Sequence, residues 1–93
     1  MAIRTFADKR LERAARADDY RKISPALRRR IRAALSDLDQ ARSLRDMALP
    51  RYRLHPLAGD LAGFHSIRVG RLERLVFRFR DGDAYDVRLV DYH

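Results

Sequence analysis

The chain has 93 residues, no cysteine and a formal net charge of +8, with 37% of its residues charged. That length supports one domain, spanning residues 1–93, with a modest core that needs no disulfide or metal. The missing thiols exclude disulfides, thiol catalysis and thiolate metal sites.

All 21 basic residues except Lys9 and Lys22 are arginine. The arginine fork matches phosphate geometry, so a polyanion, and nucleic acid first among them, is the expected partner. A G+C-rich genome would add to the same bias. No apolar run approaches a membrane span and no signal-peptide core opens the chain, so the expectation is a cytoplasmic protein with no membrane partner.

In chain order, Ala2–Phe6 is rich in β-formers and predicts an edge strand. Asp8 then caps a helix with Leu11, Ala14 and Ala15 on one side. Residues 18–22 are polar and lack a face. Ser24-Pro25 supplies a cap and a first-turn proline for a second helix, on which Leu27, Ile31, Ala34, Leu35 and Leu38 recur at helical spacing. Arg28, Arg29, Arg30 and Arg32 crowd its first half; they are either a solvated face or a patch for RNA or a partner. Ser43–Met47 predicts a further short helix ended by Leu49-Pro50. The segment 51–57 is extended and, because of Pro56, belongs to an edge or a loop.

The last thirty residues alternate as three antiparallel strands, 64–69, 75–79 and 84–90, joined by tight turns at Gly70-Arg71 and Asp81-Gly82. One face collects Ile67, Val69, Leu75, Phe77, Phe79, Val87 and Leu89 and requires an apolar cover, which the second helix provides. The other collects Ser66, Arg68, Arg74, Arg78 and Arg88, an exposed row of guanidinium groups. The expected fold class is α+β, an antiparallel-rich twisted sheet covered on one face by two N-terminal helices.

Several groups of residues together resemble one family. They are Leu54-His55-Pro56-Leu57 with Gly59-Asp60, Gly63 with Ser66-Ile67-Arg68-Val69, Arg74 with Phe77-Arg78-Phe79, and Gly82–Val87 running into Asp91-Tyr92-His93. The chain is identified by them as similar to the HigB-type toxins of the RelE superfamily, also called plasmid maintenance system killer proteins. The resemblance implies a RelE-like, microbial-RNase-like fold and ribosome-dependent cleavage of messenger RNA in the A site. It also implies neutralisation by a helix-turn-helix antitoxin of HigA type, with operator DNA bound only through the antitoxin complex. The sequence departs from the family pattern at His65, where a Trp is common, at Ala58, where a Lys is common, and in Gly70–Arg74, which lacks the usual Asn and Trp.

Such cleavage needs a base for the ribose 2′-OH, cations for the phosphate charge and an acid for the leaving oxygen. His55 and His93 have the required chemistry, in either order. Asp91 is suited to orient an imidazole or raise its pKa, and Tyr92 to stack on a base or donate a hydrogen bond. A bulge or strand end before Asp91 is needed for these two and His93 to converge. Arg53, Arg68, Arg74 and Arg78 are the expected RNA-binding residues, and His65 is read as structural. No metal or cofactor is called for. Two other readings stand beside this one, a toxin-fold module that has lost catalysis but keeps antitoxin or RNA binding, and a DNA-binding protein, for which no recognition-helix motif is present.

Overall fold

A computed structural model describes residues 2–91. Tyr92 and His93, both singled out by the sequence, lie outside the described residues. Helix α1 spans Lys9–Ala17 and α2 spans Pro25–Gln40; the strands are β1 (His55–Pro56), β2 (Phe64–Arg68), β3 (Glu73–Arg80) and β4 (Asp83–Asp91). All four strands pair antiparallel in the order β1-β2-β3-β4. Short 3₁₀ turns at Leu44–Met47, Pro50–Tyr52 and Gly59–Leu61 fill the crossing from α2 to β2. Among the described residues no helix is long and apolar enough to cross a membrane.

The helices start where the sequence predicts. Asp8 caps α1, accepting the Arg10 backbone N–H at 3.0 Å, and its other carboxylate oxygen accepts the Leu89 N–H at 3.1 Å. One side chain thus ends a helix and fastens it to β4. In α2 the apolar stripe Ile31, Ala34, Leu35 and Leu38 is buried against Ile67, Leu75 and Phe77 of the sheet. The polar stretch after α1 is less exposed than its composition suggests. Tyr20 is buried, with the Arg32 guanidinium 4.4 Å from its ring centre, and Arg32 also pairs with Asp18. Segment 51–57 divides: residues 50–52 form the 3₁₀ turn, and only His55–Pro56 pair, as the edge strand beside β2.

The two hairpins differ from each other, and alternation explains why. Asp81-Gly82 is the expected two-residue loop, with both residues at positive φ and Arg80 paired to Asp83. The expected two-residue loop at Gly70-Arg71 is instead three residues long. Arg68 pairs with Arg74, and the Val69 and Gly70 N–H groups both donate to the Glu73 carbonyl, at 3.0 and 3.2 Å. A two-residue loop would set Ile67 opposite Arg74 and turn one strand's apolar set toward solvent; the longer loop sets Ile67 opposite Leu75. Gly70 is therefore not needed for positive φ. It is needed for space, because a Cβ there would lie 2.7 Å from Leu27 Cδ2 and closer still to the Glu73 carboxylate.

The tight Asp81-Gly82 loop creates the opposite conflict within β4. It pairs Phe79 with Ala84, yet Leu75 must pair with Leu89. A bulge between Val76 and Arg78 absorbs the extra residue, with Asp86 at φ 55°, so that Ala84, Val87 and Leu89 all reach the helix-covered face. Thr5 holds the bulge, its Oγ accepting the Asp86 N–H at 2.8 Å and its carbonyl the Val87 N–H at 3.2 Å. The predicted N-terminal strand is accordingly interrupted. It survives as two isolated parallel bridges, Ile3 to Ala84 and Phe6 to Val87, on either side of the bulge.

Replacing Asp8 by Ala removes the cap of α1 and the acceptor for Leu89 together. Urea unfolding is expected to give a loss of about 1–2 kcal/mol with an unchanged m-value.

Candidate nucleic-acid interface

Opposite the helices, the sheet presents His55 of β1, Phe64, Ser66 and Arg68 of β2, Arg74, Val76 and Arg78 of β3, and Arg88 and Val90 of β4. Cross-strand register groups them into rows: His55–Ser66–Val76–Arg88, Arg68–Arg74–Val90 and Phe64–Arg78–Tyr85. This face is not the wet row of guanidinium groups that alternation suggests. Ser66 and Val76 are fully buried, giving it a dry floor.

Arg74 is the best-anchored cation on that floor. Its Nε donates to Ser66 Oγ at 2.8 Å and a terminal nitrogen donates to the Arg53 carbonyl, also at 2.8 Å. The guanidinium therefore reaches from β3 across β2 to the segment entering β1. Arg53 offers that carbonyl from a left-handed conformation, φ 46°, at the point where the 3₁₀ turn gives way to β1. His55 follows two residues later, exposed and directly opposite Ser66. Arg53, His55, Ser66 and Arg74 thus form one cluster.

Arg78 and Arg88 stand at the other end of the face, their guanidinium carbons 5.5 and 5.2 Å from the Phe64 ring centre. Arg78 also pairs with Asp86 of the bulge, and Arg88 Nε is buried without a hydrogen-bond partner. Arg68 turns away, its Nε donating to the Gly70 carbonyl at 3.0 Å. Of the four expected RNA-binding arginines, Arg74 is brought beside His55 through Ser66, Arg53 enters the cluster by its carbonyl, and Arg68 and Arg78 are directed to either side.

Asp91 is not adjacent to His55. The two belong to strands three spacings apart, about 14 Å across the sheet, and Asp91 pairs with Glu73, which alternates onto the helix-covered side. β4 continues through Asp91, and its bulge lies upstream at Asp86.

Sequence reasoning missed Ser66 as the anchor of Arg74 and missed Phe64 altogether. Phe64 falls on the same alternation as Ser66 and Arg68, so its place on this face was available from parity alone.

His65 occupies the helix-covered face between Pro56 and Phe77, half-buried, with Nδ1 enclosed and unpartnered. Burial, and secondarily the nearby His55, push its pKa below the ordinary 6.5. Among the described residues no group of three His, Asp or Glu side chains could hold a metal ion.

The backbone matches RelE-type toxin folds. YafQ from E. coli, solved as a histidine-to-glutamine mutant, superposes with a TM-score of 0.64 over 96% of this chain and 90% of that one, at 16% identity. The YoeB dimer from Staphylococcus aureus gives 0.63 over 100% and 97%, also at 16% identity. Sequence places the chain more narrowly. Residues 4–93 match the family model of HigB-like toxins, the RelE-like toxins of type II toxin–antitoxin systems, and the protein belongs to that family. The Endoribonuclease HigB of Proteus vulgaris is 41% identical over 64 residues, 69% of this chain and 70% of that protein.

A His that is harder to protonate when folded favours the unfolded chain as pH falls. The stability held above the unfolded pKa is lost progressively as pH drops through it, until the lower folded pKa is passed. Thermal unfolding between about pH 5 and 7 is expected to show this slope in the wild type and a flatter profile in His65→Phe.

Proposed function

We propose that this protein is an endoribonuclease toxin that cleaves messenger RNA on the ribosome, held inactive by an antitoxin. The observation that carries this reading is the exposed His55 beside an arginine already fixed in place. Arg74 is hydrogen-bonded to Ser66 and to the Arg53 carbonyl before any substrate arrives, so no ordering of that long side chain is required when charge develops on the phosphate.

In this reading His55 and His93 share the two proton transfers, one taking the proton of the ribose 2′-OH and the other giving one to the leaving 5′-oxygen. The 2′-oxygen attacks the neighbouring phosphorus, the bond to the 5′-oxygen breaks, and a cyclic phosphate is left on the upstream fragment. Asp91 serves His93 and not His55, given its distance from the latter, and Tyr92 stacks on a base. Arg74, with Arg53, balances the phosphate charge, and Arg68 and Arg78 hold the strand to either side.

Phe64 lies between Arg78 and Arg88, an aromatic ring of this face placed among cations. A face with so few groups for reading bases suits an enzyme whose substrate is aligned by the ribosome. The family membership supports an antitoxin partner, and a helix-turn-helix antitoxin of HigA type fits the basic surface where it contributes an acidic segment.

Cleavage of one message with and without ribosomes tests the ribosome requirement; equal efficiency in both overturns it. In single-turnover reactions on ribosomes, Arg74→Lys is expected to lose about 10²–10³-fold, since an ammonium cannot reproduce the fork. His93→Ala is expected to lose about 10²–10⁴-fold with little change in thermal stability. If both variants cleave like the wild type, the roles given to Arg74 and His93 fall; if the wild type itself leaves messages uncut on ribosomes, the protein is instead a toxin-fold module that binds RNA or antitoxin without cutting.

A further inference from the structure

A groove of about 550 Å³ opens at the end of the sheet, where α2, the Pro50–Tyr52 turn and the β2–β3 loop meet. Four of its lining residues are Arg30, Arg51, Arg68 and Arg71, and none is acidic. These arginines come from separate elements, so the sequence does not show them as a cluster. Two are already engaged: Arg51 pairs with Asp37 at 3.1 Å, and Arg68 donates to the Gly70 carbonyl. Arg30 and Arg71 are exposed and form no ion pair among the described residues.

The aromatic residue of the lining offers no open ring for a base to stack on. Tyr52 is buried, its hydroxyl donating to Asp37 and its ring faced by Arg51 at 4.9 Å. A repeating anion without side-group recognition is what such a wall accommodates. The groove also continues from the cluster around His55. Tyr52 immediately precedes Arg53, whose carbonyl holds Arg74, and Arg68 stands directly across from Arg74 in the β2–β3 register.

We propose that the groove binds the phosphodiester backbone of the substrate strand itself, a few nucleotides beyond the cleaved step, with Arg30 and Arg71 as its principal phosphate contacts. This rests on the reading of the protein as an RNA-cleaving toxin. Such contacts add affinity without sequence preference, and they matter only for RNA long enough to reach from His55 into the groove.

The test uses 2′-O-methyl RNA oligonucleotides, which cannot be cleaved through the 2′-oxygen, lengthened one nucleotide at a time. Binding to the full chain is followed by fluorescence anisotropy across a salt series, for the wild type and for Arg30→Gln/Arg71→Gln. Short oligonucleotides are expected to bind both proteins alike. Beyond a threshold length only the wild type should gain affinity, and its log–log salt slope should exceed the variant's by about 1.4, or roughly 0.7 for each phosphate contact on a single strand. Thermal unfolding of the two proteins should coincide, because both side chains are exposed.

A variant that follows the wild type at every length overturns the groove and leaves the cleavage reading standing. A variant that loses only a glutamate-rich peptide, with its RNA curves unchanged, reassigns the groove to an acidic protein partner and overturns the proposal. A wild type that binds no length of RNA overturns the groove, while cleavage of messages on ribosomes decides the catalytic reading separately. The expected length threshold in a protein that fails to cleave on ribosomes supports the groove and overturns catalysis alone.

Discussion

Burial of one apolar face governs the geometry of this sheet, because alternation leaves each strand only two choices of side. Ile67, Leu75, Phe77, Val87 and Leu89 must all meet the core beneath the helices, and turn chemistry has to yield to that requirement. Between β2 and β3 it yields by lengthening the loop. Between β3 and β4 the Asp-Gly turn is kept and the strand yields, through the bulge at Asp86. The rows on the open face follow from the same adjustments. Had the β2–β3 hairpin kept a two-residue loop, Arg74 would not face the side occupied by Ser66 and His55.

The cluster around His55 is built by reaching across strands rather than by proximity in sequence. Arg74 is eight residues from Ser66 and twenty-one from Arg53, yet its two hydrogen bonds bind the edge strand's entrance to the centre of the sheet. β1 is only two residues long, so its position owes much to this side chain. The cation that the proposed chemistry uses also ties down the entrance to the strand that carries His55. A substitution at Arg74 would disturb position and charge together, which is why a charge-conserving lysine is more informative there than an alanine.

The helices were legible because they rest on local signals: Asp8 as a cap, Pro25 at the first turn and an apolar stripe along α2. The two faces of the sheet were legible from period-two alternation. Loop length at Gly70 was not, because Gly at the start of a loop also suits a two-residue turn, and only the demand to set Ile67 against Leu75 decides between them. The broken N-terminal strand was hidden for a related reason, since the bulge that interrupts it lies near the other end of the chain. At the site, parity announced Arg74 and Ser66 on one side but not that they bond. Tyr20 and the Arg30–Arg71 groove depend on contacts between elements that no local pattern encodes.

Thr5 and Asp8 both fasten to β4 across a separation of 81 residues. Loop closure of that length cannot be compensated until β4 exists and is already paired with β3, so the amino-terminal segment docks late in folding. During synthesis β4 is the last of the described elements to emerge. A nascent chain can therefore form α2 and the β2–β3 hairpin before β4 emerges, but until then it cannot close the clasp that steadies the bulge and the arginine beside it. The order in which the chain is made thus delays completion of the basic face until β4 has emerged.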